Sequence, residues 1–367
     1  MISMIINVIT RHAPSNYGSL LQSIATVNVL QRMGHDAFII DYIRPDDLGL
    51  NKVKQEASLK GGSLIKKLIY TLVRYPIEKI AELRFRKMRK KHLKTTTRCS
   101  SVEDLAGLQA DYFMTGSDQV WGPMVNGKFD SSYFLSFVKI GRKVAYAASF
   151  GKAYFDERTV EDYKQLLSSY DKIAVREDSA VSLIKGWGGT NCVGQVIDPT
   201  LLLSSKEWKD LLNIKDNKKD PYILVYQIHN DVKLSQYAKN LAAHKKIKLV
   251  RVNPFLHQCL RGGRFRLCPD VKEFLELINN AAYIVTDSFH GTCFAINFNK
   301  QFVEILPNNA TGTRNQSILT LTGLTSRITT DFENFSIVEK EIDYKPVNEI
   351  LEKERERCIG VLKDMSN

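Results

Sequence analysis

This 367-residue chain predicts an α/β fold built from two doubly wound, mostly parallel sheets. Three observations carry that expectation. Strand-like and helix-like stretches alternate along both halves of the chain. A polar, charged stretch, "NIKDNKKD", followed by Pro221, separates one alternating series from the next. The chain is also longer than one ordinary core accommodates.

The first series opens with "MIINVIT", read as a strand rather than a leader peptide, since no basic start or cleavage site accompanies it. In "LLQSIATVNVLQRMG", residues Leu20, Leu21, Ile24, Val27 and Leu30 share one helical face, and Gly34 marks the stop. "AFIIDY" completes a βαβ unit. "DYFMTGS", "KVAYAASF" and "KIAVRE" are further strands, with a helix over 156–169 between the last two. The second series runs "YILVYQI" strand, 231–244 helix, "IKLVRV" strand, 270–281 helix, "YIVTDS" strand, 290–298 helix and "QFVEIL" strand. The resulting division is an N-terminal Rossmann-like domain over 1–212 with an insertion at 51–100, a linker at 213–220, and a C-terminal Rossmann-like domain over 221–345. A last helix within 346–367 is expected to pack back on the first domain.

Composition narrows the function classes. Hydrophobic residues make up 44% and charged residues 25%, as in soluble globular proteins. No apolar run is long enough to span a bilayer. The six cysteines form no CxxC and no metal-ligand spacing with histidine, which fits buried thiols in a reducing cytosol. Nearly all of the net charge of +12 lies between Lys60 and Arg98, where thirteen Lys/Arg face only Glu78 and Glu82. That segment carries no RRM, KH or zinc-finger pattern, so no nucleic-acid partner is expected. It mixes cations with Leu, Ile, Val, Phe and Tyr. Either it lies on an anionic membrane surface, through Arg84, Arg86, Lys87, Arg89, Lys90 and Lys91, or it is a solvated helix packed on its own domain.

Open α/β sheets bind ligands beyond the carboxyl ends of their strands. The polar residues that follow the predicted strands are therefore the candidates: Asn16, Tyr17 and Gly18 after the first; Ser117, Asp118 and Gln119; Ser149; Arg176; Gln227; and Ser288, Phe289, His290, Gly291 and Thr292. Two such rims facing one another would form a cleft between the domains, and the cleft is the expected site. His12 and His229 are further cleft candidates. Alternatives stay open for each. Asn16 and Asp118 are equally candidate cap residues, Arg176 is equally a candidate to pair with Glu177 or Asp178, and Trp121 either stacks on a sugar or fills the core. No GxGxxG fingerprint is present.

Six pieces occur in a fixed order: "NYGSLLQSIATVNVLQRMGHDAFIIDY", "TGSDQVW", "YAASFG", "VRED", "DPTLLL" and "TDSFHGTCFAINFNKQFVEI". In this the chain resembles the polysaccharide pyruvyl transferase family over roughly residues 5–325. The resemblance implies a GT-B-like fold of two domains. It implies transfer of pyruvate from phosphoenolpyruvate to two hydroxyls of a sugar, such as galactose, as a cyclic ketal, in capsule or exopolysaccharide assembly. It implies no metal and no cofactor, phosphoenolpyruvate being the donor substrate. The acceptor would be a sugar or a lipid-linked oligosaccharide, reached from the cytoplasm or from the inner membrane face. A nucleotide-sugar glycosyltransferase is the alternative within the same architecture.

Carried over residue by residue, the family's donor-associated histidine and arginine fall on His290 and Arg176. Many relatives have arginine where this chain has Phe289, and Arg314 is the candidate replacement cation. Donor phosphate and carboxylate call for free helix N–H groups and guanidinium forks, which the predicted helix start near His290, Arg176 and Arg314 would supply. His290 suits the proton donor, since a bound anion favours imidazolium. Asp118 is the candidate base, and Asn16, Tyr17 and Gln22 are candidates to hold substrate.

Overall fold

The computed structural model describes residues 3–44, 46–124, 127–152, 154–217, 220–307 and 312–366. It divides into two compact units, Met1–Leu202 with Glu356–Asn367, and Leu203–Arg355.

Seven strands form the sheet of the first unit: β1 (Ile5–Ile9), β2 (Asp36–Tyr42), β3 (Thr95–Cys99), β4 (Tyr112–Thr115), β5 (Arg142–Ala148), β6 (Lys172–Val175) and β7 (Cys192–Gln195). Their order is β3-β2-β1-β4-β5-β6-β7, all parallel. Val8 stands opposite both Ile39 and Met114, so the apolar run of β1 lies at the centre of the sheet. Parallel sheets covered on both faces produce such unbroken apolar strands. Helix α1 (Tyr17–Arg32) starts at Asn16, whose Oδ1 accepts from the N–H groups of Gly18 (2.8 Å) and Ser19 (3.4 Å). Trp121 belongs to the core of this unit. It is fully buried, stacks on Phe134 at 5.5 Å, and donates its indole N–H to the Tyr133 carbonyl at 3.1 Å. The sugar-stacking reading of Trp121 is thereby removed.

The basic insertion is a helical hairpin of α2 (Gly49–Leu59) and α3 (Leu64–His92). Its last residues are not inserted sequence: β3 is an edge strand of the sheet. Phe85 of α3 is buried and meets the Tyr17 ring at 5.1 Å. Arg89 is also buried and donates to the Ala13 carbonyl at 2.7 Å, and burial lowers its pKa to about 10. Arg89 therefore anchors the hairpin and leaves the set of surface cations.

The second unit has five parallel strands: β8 (Tyr222–Tyr226), β9 (Lys248–Asn253), β10 (Arg264–Leu267), β11 (Tyr283–Thr286) and β12 (Gln301–Glu304). They are ordered β10-β9-β8-β11-β12. The division falls at 202/203 rather than at 213–220, of which 218 and 219 lie outside the described residues. The physical reason is the Ser205–Leu212 helix. Its buried Trp208 packs edge-on against Phe294 at 5.6 Å, and the Asn297 side chain donates to the Leu203 carbonyl at 2.8 Å. The helix Tyr344–Ser366 is continuous through the second division, and its residues from Glu356 onward group with the first unit. There Arg357 donates to the Gln195 carbonyl (2.9 Å), and the Tyr112 hydroxyl lies 3.0 Å from Ser366 Oγ.

Strand order reverses direction between β1 and β4 in one sheet and between β8 and β11 in the other. Loops leaving the carboxyl ends of such neighbours diverge and open a crevice for ligands.

Candidate active site

In the first unit the loop after β4 is zipped to the end of β5. Ser149 N–H donates to the Asp118 carbonyl (3.1 Å) and Trp121 N–H to the Ser149 carbonyl (3.2 Å). A register shift in β5 between Tyr146 and Ala148, with Ala147 at φ 57°, turns Ser149 out of the strand. Asp118 itself sits at φ 79°, a conformation that Asp tolerates better than most residues. Its carboxylate accepts from Ser19 Oγ (2.7 Å) and from the Gln119 N–H (2.8 Å). The Gln119 side chain crosses over Gly151, where φ is 65° and any Cβ would collide with it.

Arg176 lies beneath this loop, 3% exposed. Its guanidinium meets Asp198 at 3.0 Å and Ser117 Oγ at 3.3 Å, with Asp118 and Glu177 each at 3.9 Å. Ser117 Oγ donates to Asp198 (2.8 Å), and Ser149 Oγ donates to Glu177 (2.7 Å). Burial alone would lower the arginine's pKa, but Asp198, Glu177 and Asp118 outweigh it and hold the group above its ordinary value. Arg11, paired with Asp47, is raised in the same way against its own burial, with Asp118 contributing.

The structure thus brings Ser117, Asp118, Gln119, Ser149 and Arg176 into one network, includes Glu177 as the expected partner of Arg176, and adds Ser19 and Asp198, to which sequence reasoning gave no role. Gly18 and Asn16 form the start of α1. Tyr17 and Gln22 are fully buried. Gln22 Nε2 lies 2.9 Å from Thr10 Oγ1, Ser19 O and Ser23 Oγ, and Thr10 in turn donates to the Ser117 carbonyl (2.7 Å). Gln22 thus supports the site from behind, and Tyr17 packs on Phe85. His12 is likewise buried, with Asp41 at 3.4 Å.

In the second unit the loops after β8 and β11 are tied together by Asp287. Its carboxylate accepts the N–H groups of Ile228 (2.7 Å) and His229 (2.9 Å), and His229 Nδ1 lies 3.4 Å from it. Ser288 caps the helix Phe289–Asn297, its Oγ accepting from Gly291 N–H at 3.2 Å. Gly291 is required by close packing, because a Cβ there would strike Thr286 Oγ1 and crowd the Tyr226 ring. His290 and Phe289 stand on the first turn, each 6% exposed, with their rings edge to face at 5.1 Å. The Arg314 guanidinium lies over the Phe289 ring at 5.8 Å. The cation proposed to replace an arginine at Phe289 is therefore in contact with Phe289.

Gln227 is 1% exposed and serves the loop. Its Oε1 accepts from Ser235 (2.9 Å) and Arg251 (3.0 Å), and its Nε2 donates to the Asp231 carbonyl (2.6 Å). Arg251 is the residue that the sequence concealed. It is 1% exposed in the middle of β9, and among the described residues no carboxylate lies within ion-pair distance of it. One of its terminal nitrogens, Nη2, has no hydrogen-bond partner. Burial and the neighbouring Arg261 lower its pKa to about 10, with Asp287 opposing. The only hint in the sequence is an arginine interrupting the apolar run "KLVRVN".

Behind the helix, Thr292 Oγ1 meets the Ser288 carbonyl (3.0 Å) and the buried Glu304 carboxyl, and Asn315 donates to Glu304 Oε1 (2.6 Å). Burial pushes Glu304 up to about 8, against the hydrogen bonds from Thr292 and Asn315. A single Thr292 proton cannot serve both the Ser288 carbonyl and a carboxylate. A protonated Glu304 resolves this by donating to Thr292. The unfolded chain releases this proton near pH 4.5 and the folded chain near 8, so this group's stabilising contribution is complete below about 4.5 and is lost as pH rises to about 8. Glu304→Gln is expected to remove that decline. Urea unfolding at pH values on either side of this window measures it, and an unchanged wild-type slope in the variant would refute the assignment.

A family model described as polysaccharide pyruvyl transferase matches residues 16–309. The chain belongs to that family. No curated protein matches it by sequence. Among solved structures, the Arabidopsis thaliana UGT89C1 complex with UDP-L-rhamnose is similar at a TM-score of 0.51 and 8% identity, covering 99% of this chain and 95% of that one. The S. aureus MnaA–UDP co-structure is similar at 0.50 and 13% identity, covering 98% and 91%. The family member described here has a GT-B-like fold, its two sheets of seven and five strands being Rossmann-like. Family membership makes it a transferase of polysaccharide biosynthesis.

Proposed function

We propose that the chain moves pyruvate from phosphoenolpyruvate onto two hydroxyls of a hexose such as galactose, as a cyclic ketal, in the assembly of a bacterial capsule or exopolysaccharide. One observation carries the reading: a histidine on the first turn of a helix at the strand-order reversal of the second sheet, with a guanidinium two rings away over Phe289. Helix N–H groups and Arg314 suit an anionic donor. His290 protonates the methylene carbon, which becomes the methyl group, and the central carbon then accepts a sugar hydroxyl. Phosphate leaves, and the second hydroxyl closes the ring. Of the two hydroxyl protons, one restores His290 and the other leaves with phosphate. Asp118 remains the candidate base in the first unit. Arg176, already matched by three carboxylates, is assigned to positioning Asp118 rather than to clamping donor oxygens.

Arg251 enters this reading as a buried source of positive field beneath the donor. Arg251→Gln is expected to raise KM for phosphoenolpyruvate by about tenfold with little change in kcat, the loss of one charge-assisted contact. An unaltered KM would exclude it.

The decisive assay is mass spectrometry of aryl glycosides incubated with phosphoenolpyruvate or with a nucleotide sugar. A ketal mass gain supports the proposal, and a hexose gain supports the glycosyltransferase alternative.

A further inference from the structure

Helix α3 has a packed face and an exposed apolar face. One face, Glu78, Ala81, Phe85, Met88 and Arg89, is buried against its own unit. At 100° per residue, Ile65, Leu68, Ile69, Leu72, Ile80 and Leu83 fall on the opposite face. These six are between 39% and 70% exposed. The stripe runs about 27 Å along the helix. Lys66, Arg84 and Lys91 flank it on one side and Lys79 and Arg86 on the other, while Lys87 and Lys90 continue it toward the helix end. The two acids of the segment are engaged. Buried Glu78 pairs with Lys52 (2.6 Å) and Arg74 (3.3 Å), and Glu82 pairs with Lys79 (3.1 Å).

We propose that this face of α3 docks on the surface of an anionic lipid bilayer. A contiguous exposed apolar stripe of this kind marks an interaction surface. Its cationic border calls for an anionic counterpart around an apolar interior, which is the chemistry of acidic headgroups over acyl chains. A second copy of the chain would bring the same cations against it. No helix among the described residues is long and apolar enough to cross a membrane, so the docking is interfacial. The proposal is independent of the donor chemistry, because it is measured without substrate.

The test is flotation of the full chain with phosphatidylcholine vesicles, with and without phosphatidylglycerol. Wild type is expected to partition at least about tenfold more into the anionic vesicles, less so at high salt. Ile69→Asp with Leu72→Asp, both exposed and off the packed face, should abolish this while leaving the melting temperature intact. Three results would overturn it: no vesicle binding by wild type, binding unchanged in the double variant, or a concentration-dependent dimer that the double variant dissolves.

Discussion

His290→Gln is expected to lower pyruvyl transfer by about a hundredfold to ten-thousandfold, the range associated with loss of a general acid. Glutamine keeps a polar side chain on the first turn of the helix but cannot deliver a proton to carbon. The capping bond from Gly291 to Ser288 and the two N–H bonds to Asp287 do not involve the imidazole, so the loop should hold its shape. The melting temperature and KM for phosphoenolpyruvate should therefore change little while kcat collapses. Turnover followed by mass spectrometry, beside a melting curve, separates these effects. A variant that keeps its rate would move the acid to another residue.

Arg176→Met is expected to cost the first unit about 3–5 kcal/mol, because it strands buried carboxylates without their counter-charge. Asp198 is fully buried against Arg176, and Glu177 and Asp118 lie within 4 Å of it. Native proteins hold only about 5–15 kcal/mol in total, so denaturant unfolding should register a large shift or outright loss of the folded unit. Arg176→Lys keeps the charge but cannot reach Asp198 and Ser117 together, and should recover part of the loss. This variant also separates two roles. A lowered melting point with unchanged donor KM identifies a positioning residue, and a raised KM at full stability identifies a donor ligand.

The central strands were legible because each is an apolar run between polar turns. The three strands that sequence reading passed over, "TTTRC", "CVGQ" and "RFRL", are β3, β7 and β10, all at sheet edges. An edge strand is half solvated and needs no apolar run, so its composition resembles that of a loop. The Ser288–Thr292 turn was legible for the converse reason: its polar cluster interrupts apolar sequence at a strand-to-helix junction. Its inner division of labour was not. Ser288 and Thr292 bond the scaffold, while Phe289 and His290 set their largely buried rings edge to face, and Gly291 packs on Thr286 and Tyr226. Beyond its chain neighbour Glu177, the surroundings of Arg176 were equally hidden. Asp118, Glu177 and Asp198 follow three different strands, and it is the sheet order that makes them neighbours.

The first unit is discontinuous in the chain, and this bears on the order of its assembly during synthesis. Domains ordinarily complete themselves from the amino end as translation proceeds. Here the seven-stranded sheet emerges first but lacks the partners that Tyr112, Arg142 and Lys172 find in Ser366, Met365 and Asp364. The whole five-stranded unit, Leu203–Arg355, is made between the two pieces of the first. The part of the polypeptide translated earliest thus waits for the residues from Glu356 onward before it is complete.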